Sequence, residues 1–144
     1  MVILKRGVHM NYLAGRDEMC WRISHEEETP ELLKAVKDLP SVDFRDFEGV
    51  TYLHFAALNH KVEIIKILFK KGADPNARDD KGRFAIIWAL GMKNEKNPEI
   101  LRLFLEYGLN LDIKKENDGF TIRETILSFE LPQLNEVIEK FEGQ

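Results

Sequence analysis

Short amphipathic helices, arranged in pairs, account for most of the apolar positions along the chain. The clearest pair lies within residues 49–79, where the first apolar face carries Leu53, Ala56 and Ala57. A polar turn at residues 59–61 precedes a second face formed by Ile64, Ile65, Ile67, Leu68 and Phe69. Apolar residues three and four positions apart lie on one side of an α-helix. The pattern therefore predicts two consecutive helices, each too short to bury its apolar face alone.

The helix pair recurs along the chain with a period in the thirties. Second helices of this kind begin 32, 36 and 34 residues apart, at Pro30, Val62, Pro98 and Pro132. Turn glycines follow a similar spacing of 33 and 37 residues, at Gly49, Gly82 and Gly119. A repeat of this length is typical of solenoids, in which each unit packs on its neighbours. The spacing predicts an all-α solenoid of about four stacked helix pairs with short turn connections.

Composition and charge narrow the range of functions. The chain has 144 residues, 44% of them hydrophobic and 32% charged, which suits one domain with a sizeable core. The net charge of −4 argues against nucleic-acid and anionic-membrane partners, because both require a basic surface. The one cysteine, Cys20, excludes an internal disulfide and fits a reducing compartment. With no apolar run near the ~18 residues of a membrane span, we expect a cytoplasmic protein.

The central unit carries a family resemblance. Residues 51–57 read Thr-Tyr-Leu-His-Phe-Ala-Ala, and residues 72–77 close the second helix with Gly-Ala-Asp-Pro-Asn-Ala. This unit resembles an ankyrin repeat, with Tyr52 replacing the proline of the threonine-proline-leucine-histidine signature. The following unit is looser, and its turn at residues 91–97 is three residues longer. The resemblance implies that Thr51 and His54 bond to turn backbone rather than catalyse a reaction. It also places His60 where the family usually has glycine, so we expect a left-handed backbone there.

The repeats divide the chain into units. Residues 1–10 show no clear period and form an N-terminal lead, for which disorder is one interpretation. The resemblance implies that residues 11–144 form a single ankyrin-repeat domain. Its predicted parts are a capping unit at 11–48, repeats at 49–81 and 82–118, and a C-terminal capping unit at 119–144. Polar residues suit the solvent-facing side of that last unit, namely Arg123, Glu124, Asn135 and Glu136.

The resemblance also implies a partner-binding face, built from the turn tips and the exposed side of each first helix. Carried over position by position, this face holds Phe47, Glu48, Val50, Leu58, Asn59, Asp80, Lys81, Arg83, Leu90, Asn117, Asp118 and Phe120. Solvent-facing turns are usually polar, but this face has apolar side chains at Phe47, Val50, Leu58 and Phe120. Exposed apolar side chains rimmed by charge are typical of protein interfaces. The alternative is that these side chains cover neighbouring turns. Of the aromatic residues at equivalent first-helix positions, we expect Phe55 to pack between helices and Trp88 to pack there or border the groove.

The sequence contains no nucleophile elbow, phosphate-binding loop or zinc-ligand spacing. We therefore expect a non-catalytic, monomeric protein–protein interaction module, without a cofactor, that blocks or scaffolds another protein. A narrower version, by analogy, is a bacterial immunity protein that neutralises a toxin or enzyme. An alternative of another class is an enzyme or metal-binding protein with a pocket near Cys20, His25 and Glu26. A further alternative is self-assembly through an uncapped repeat face.

Overall fold

The computed structural model describes residues 17–144, and across this range the chain forms eight α-helices in four consecutive pairs. Their bounds are α1 (Glu18–His25), α2 (Pro30–Lys37), α3 (Tyr52–Leu58), α4 (Val62–Lys70), α5 (Ala85–Leu90), α6 (Asn97–Glu106), α7 (Ile122–Ser128) and α8 (Pro132–Glu142). The predicted N-terminal lead, residues 1–10, lies outside the described residues, as does the start of the predicted front unit.

Side-chain caps explain where several helices begin. The Asp17 carboxylate accepts from the Cys20 backbone N–H and starts α1, and the Thr29 hydroxyl starts α2 directly before Pro30. Thr51 and Thr121 start α3 and α7, each within a capping box. These side chains satisfy backbone donors that have no partner inside the helix.

The helix α4 lacks a side-chain cap of its own. Its Ile64 backbone N–H donates instead to the Glu28 carboxylate of the preceding unit, at 2.9 Å. One unit therefore completes the hydrogen bonding of the next, as expected when a repeat cannot fold alone.

The helices stack in two layers. The first helices pack in the order α1, α3, α5, α7, and the second helices in the order α2, α4, α6, α8. A continuous hydrophobic core runs between the layers, and its fully buried side chains include Ile23, Leu32, Leu53, Ile64, Phe84, Phe104 and Ile122. The predicted all-α solenoid of four helix pairs is confirmed.

Short hairpins precede α3, α5 and α7. Hairpin 1 (residues 45–51), hairpin 2 (78–84) and hairpin 3 (114–121) are each closed by one antiparallel bridge between their end residues. In hairpins 1 and 2 an aspartate shapes the turn: Asp46 accepts from the N–H groups of residues 48 and 50, and Asp79 from those of 81 and 83. Because the same bonds recur 33 residues apart, the two tips have equivalent positions.

Polar side chains connect the α3/α4 unit to the α5/α6 unit. His54 Nε2 donates to the Arg83 carbonyl oxygen at 2.8 Å, and His60 Nε2 to that of Ala89 at 3.0 Å. Asn76 donates to the Gly108 carbonyl and accepts from the Asn110 N–H. These bonds satisfy backbone groups across the interface and fix how the two units align.

The C-terminal end of the stack is polar. Arg123 occupies the position that Leu53 holds in the α3/α4 unit, and its guanidinium pairs with Glu142 at 2.6 Å and with Asp112 at 3.1 Å. Asn135 likewise replaces Ile65, which is fully buried in its own unit. These substitutions give this end a partly charged surface, which disfavours stacking of a further apolar unit.

Candidate functional site

The tips of the three hairpins carry the most exposed of the predicted partner-binding residues. Phe47 in hairpin 1 is 60% exposed and Phe120 in hairpin 3 is 57% exposed. Both have apolar rings in water, because the hairpins project them away from the helix layers. The polar members Asp80, Lys81, Asn117 and Asp118 are exposed beside them, and Glu48 is half-buried. At these two tips, apolar side chains are exposed with charged residues beside them.

Two predicted members of the face are buried, so their placement on the surface was wrong. Val50 is 1% exposed and Leu90 is 3% exposed, and both belong to the hydrophobic core. Val50 lies on the returning arm of hairpin 1, where an apolar side chain gains free energy by packing on the helices. Leu90 ends α5 and packs inside the layers, whereas Leu58 at the end of α3 is 37% exposed. The spacing of apolar residues alone does not distinguish the buried Leu90 from the partly exposed Leu58.

The exposed ends of the first helices extend the apolar surface. Leu58 is followed by Asn59, whose side-chain amide donates to the Phe55 carbonyl oxygen at 2.8 Å and ends α3. Beyond α5, Met92 in the longer turn is 58% exposed, and Leu127 in α7 is 46% exposed. Sequence reasoning did not include Met92 or Leu127. The three extra residues of the turn at 91–97 were the signal that could have pointed to Met92.

Arg83 is held in a fixed position at the junction of hairpin 2 and α5. Its Nε donates to Asp79 Oδ2 at 2.5 Å, and its guanidinium carbon lies 5.1 Å from the centre of the Trp88 ring. The Asp79 side chain is fully buried, whereas that of Arg83 is 41% exposed. Burial opposes ionisation of Asp79, but hydrogen bonds from Arg83 outweigh it and hold the carboxyl pKa below its usual value. A buried carboxylate thus positions a partly exposed guanidinium.

The aromatic side chains at equivalent positions of α3 and α5 differ in exposure. Phe55 is 6% exposed and packs between helices, as expected. Trp88 is half-buried, with the edge of its ring against the His54 ring at a centroid distance of 5.0 Å. Because the Arg83 guanidinium lies over the same indole, Trp88 supports the surface formed by Arg83 as well as the core.

Hairpin 3 differs from the other two in its internal bonding. Lys115 pairs with Asp118 at 2.8 Å, and the Phe120 N–H donates to the same carboxylate at 3.0 Å. These bonds hold the pKa of the Asp118 carboxyl below its usual value, and the bond from Lys115 has the largest effect. Bonds within the hairpin therefore stabilise this tip, and the Phe120 ring is exposed to solvent.

The signature residues Thr51 and His54 have the structural role that the resemblance implied. His54 is fully buried, its Nδ1 accepts from the Thr51 hydroxyl at 2.8 Å, and its Nε2 donates to Arg83. Burial lowers the pKa of His54, so the ring is neutral at pH 7. His60 has the expected left-handed backbone, with φ of 54°.

The side chains of the alternative chemical site have different surroundings. Cys20 is buried, and desolvation, followed by the nearby Asp17 carboxylate, raises the pKa of its thiol, which disfavours the nucleophilic thiolate. His25 is on the surface, where its ring stacks on Trp21 and its Nδ1 donates to the Trp21 carbonyl. Within residues 17–144 no group of three or more histidine, cysteine, aspartate or glutamate side chains is arranged to hold a metal ion.

The geometry described above, paired short helices with projecting hairpins and a threonine–histidine capping box, is that of a known class. A family model for ankyrin repeats, three copies in length, matches residues 22–117. The chain therefore belongs to the ankyrin-repeat family. Ankyrin repeats are generally protein–protein interaction modules, and they typically bind other proteins.

Curated relatives match part of the chain. Ankyrin repeat protein OPG189 of monkeypox virus is 28% identical over 93 residues, which cover 65% of this chain and 16% of that protein. Serine/threonine-protein kinase VIK of Arabidopsis thaliana is 31% identical over 90 residues, which cover 60% of this chain and 20% of that protein. The chain thus spans a fifth or less of the length of these relatives.

Membrane crossing needs a long apolar helix. None of the helices in residues 17–144 is both long enough and apolar enough to cross a bilayer.

Proposed function

We propose that this chain is a non-catalytic module that binds another protein through its hairpin tips and first-helix ends, and thereby blocks or scaffolds that partner. The proposed binding face keeps ten of the predicted residues: Phe47, Glu48, Leu58, Asn59, Asp80, Lys81, Arg83, Asn117, Asp118 and Phe120. It gains the exposed apolar residues Met92 and Leu127.

The observation that carries this proposal is the exposure of two aromatic rings at separate hairpin tips. Phe47 and Phe120 are both more than half exposed. Burying an aromatic side chain against a partner removes a large apolar area from water, and aromatic residues are enriched where interfaces gain most of their free energy. Charged residues flank both rings, which matches the polar rim of a protein interface.

The experiment is affinity capture from native lysate, comparing the wild type with the Phe47→Asp, Phe120→Asp double variant. We expect the wild type to retain a specific partner and the double variant to lose it while keeping its far-UV circular dichroism. Both side chains are largely exposed, so the substitutions leave the core unchanged.

A matched control separates the binding face from net charge. The Lys37→Gln, Lys70→Gln double variant makes the chain more negative by the same two charges, at exposed positions of the second-helix layer. We expect this control to retain the partner. If the control loses the partner too, or the aromatic variant retains it, the proposed face is wrong.

The identity of the captured partner distinguishes inhibition, scaffolding and the narrower immunity role. A toxin that is neutralised in a stoichiometric mixture with the chain would support an immunity protein. The proposed monomer is tested on the same preparation by light scattering across a range of concentrations. The polar C-terminal end of the stack, with Arg123 paired to Glu142, supports a monomer over end-to-end assembly.

A further inference from the structure

We infer that Arg83 is a recognition point for a carboxylate of the partner, so that the bound segment carries an aspartate or glutamate at this position. The inference deepens the proposed function and rests on it. It starts from the hydrogen-bonding capacity of the guanidinium, which has five N–H donors in one plane.

Asp79 uses only one edge of that plane. Its carboxylate accepts from Arg83 Nε and from the Arg83 backbone N–H. Among the described residues, neither terminal nitrogen of the guanidinium, Nη1 or Nη2, has a hydrogen-bond partner. The side chain is 41% exposed, so these donors are accessible from solvent. Two parallel N–H groups of this kind match the two oxygens of a carboxylate.

The guanidinium is also held in place before any partner arrives. Asp79 fixes its edge, the Trp88 ring supports its face, and the Arg83 carbonyl oxygen is held by His54 Nε2. A free arginine side chain loses considerable rotamer entropy when it binds, and this one has already lost most of it. Arginine is one of the residue types enriched among those that contribute most to interface energetics.

The neighbouring hairpin positions suggest what else the bound segment carries. Positions equivalent to Arg83 in hairpins 1 and 3 are Val50, which is buried, and Phe120, which is 57% exposed. Adjacent packed helices lie about 8–10 Å apart, and an extended chain advances about 3.3 Å per residue. Side chains two or four positions apart lie on the same side of an extended chain, so an acidic residue on Arg83 places the residue two or four positions away nearest to Phe120, where an apolar side chain fits.

The test is selection of a phage-displayed library of random 12-residue linear peptides on the full chain. We expect the enriched peptides to share an aspartate or glutamate, with an apolar residue two or four positions from it. The affinity of synthetic copies is then measured by fluorescence anisotropy. Replacing the shared acid by its amide should weaken binding at least tenfold.

Two protein variants with the same charge complete the test. Arg83→Lys keeps the charge but loses the planar pair of donors, and we expect at least a tenfold loss of affinity. Arg102→Lys, on the second-helix layer and 52% exposed, should change the affinity less than twofold. In the Arg83→Lys protein, changing the peptide acid to its amide should lower the affinity little further. Both substitutions remove the same contact, so their effects on affinity do not add.

Several results would overturn the inference. Enriched peptides without a shared acid, or equal binding by Arg83→Lys, would exclude a carboxylate at this position, and so would a selection that enriches no peptide. If peptides lose binding on the Phe47→Asp, Phe120→Asp protein but not on Arg83→Lys, the proposed face stands and only the role of Arg83 fails.

Discussion

Gly49 and Gly82 form a matched pair for testing how the hairpins of neighbouring units pack. Both glycines occupy the same turn position and have φ of +77°. A Cβ on Gly49 would lie 2.4 Å from Asp80 Oδ1 and 2.9 Å from the Asp80 backbone nitrogen, whereas a Cβ on Gly82 would meet nothing within 4 Å. Alanine therefore causes the same backbone strain at both sites, and a clash at Gly49 alone.

The magnitudes follow from those two effects. Left-handed backbone costs an alanine about 1–2 kcal/mol, which applies to both variants. At Gly49, relief of the clash must separate the hairpins and weaken the 2.9 Å bond from the Asp80 N–H to the Glu48 carbonyl oxygen. Overpacking and the lost bond add about 1–3 kcal/mol. We expect Gly49→Ala to lower the free energy of unfolding by about 2–5 kcal/mol, and Gly82→Ala by about 1–2 kcal/mol.

Urea denaturation followed by tryptophan fluorescence and far-UV circular dichroism measures both values. Asp80→Ala in the Gly49→Ala background removes the clashing Oδ1 and Cγ but keeps the backbone contact, so it should restore part of the lost stability. Equal destabilisation by Gly49→Ala and Gly82→Ala, or no rescue by Asp80→Ala, would refute the proposed packing of hairpin 1 on hairpin 2.

Two further predictions concern polar contacts of the core. Tyr52→Phe removes the hydroxyl that donates to Asp17, and urea denaturation should show a loss of about 1–2 kcal/mol; an unchanged midpoint would contradict a stabilising bond. The pKa of His54 in the folded protein lies below its unfolded value of about 6.5. The neutral ring therefore contributes fully to the free energy of unfolding above pH 6.5, and this contribution is lost as the pH falls through the folded pKa. The slope that His54 adds is at most about 1.4 kcal/mol per pH unit and should be absent in His54→Gln; an identical slope in that variant would show that other groups cause it.

The architecture could be predicted from the sequence because two separate signals show the same repeat. The apolar stripes set the helices, and glycines with positive φ, such as Gly49 and Gly82, set the turns between them at the same period. Each signal alone is ambiguous in a divergent unit, as in the one that follows Gly82. Together they fixed the number and order of the helix pairs across the described residues.

The binding face was less predictable, because exposure depends on the surroundings of each side chain. Val50, Arg83 and Phe120 hold equivalent positions, yet the first is buried, the second is half-buried and the third is exposed. Spacing assigns all three to one face. The role of Trp88 beneath Arg83 could not be read from periodicity either, since the contact depends on the side-chain direction that Asp79 imposes.

One departure from the family signature is explained by contacts that only the structure shows. Tyr52 stands where the resemblance predicts proline, and its ring stacks on Phe44 at a centroid distance of 5.4 Å. Its hydroxyl bonds to Asp17, the residue that caps α1. The larger side chain thus connects the α3/α4 unit to the start of α1, which a proline cannot do.

The polar bonds between units are unevenly distributed, and this affects how the stack opens. His54, His60 and Asn76 all bond from the α3/α4 unit to backbone of the α5/α6 unit. At the next interface apolar Ile87 holds the position of His54, and the ion pairs there, Arg78 with Glu116 and Arg123 with Asp112, involve partly exposed side chains. Native-state hydrogen exchange should therefore resolve α7 and α8 as a cooperative segment that opens at lower free energy than α3 to α6. The α7/α8 pair, directly after Phe120, would then open more easily than the α3 to α6 part of the stack.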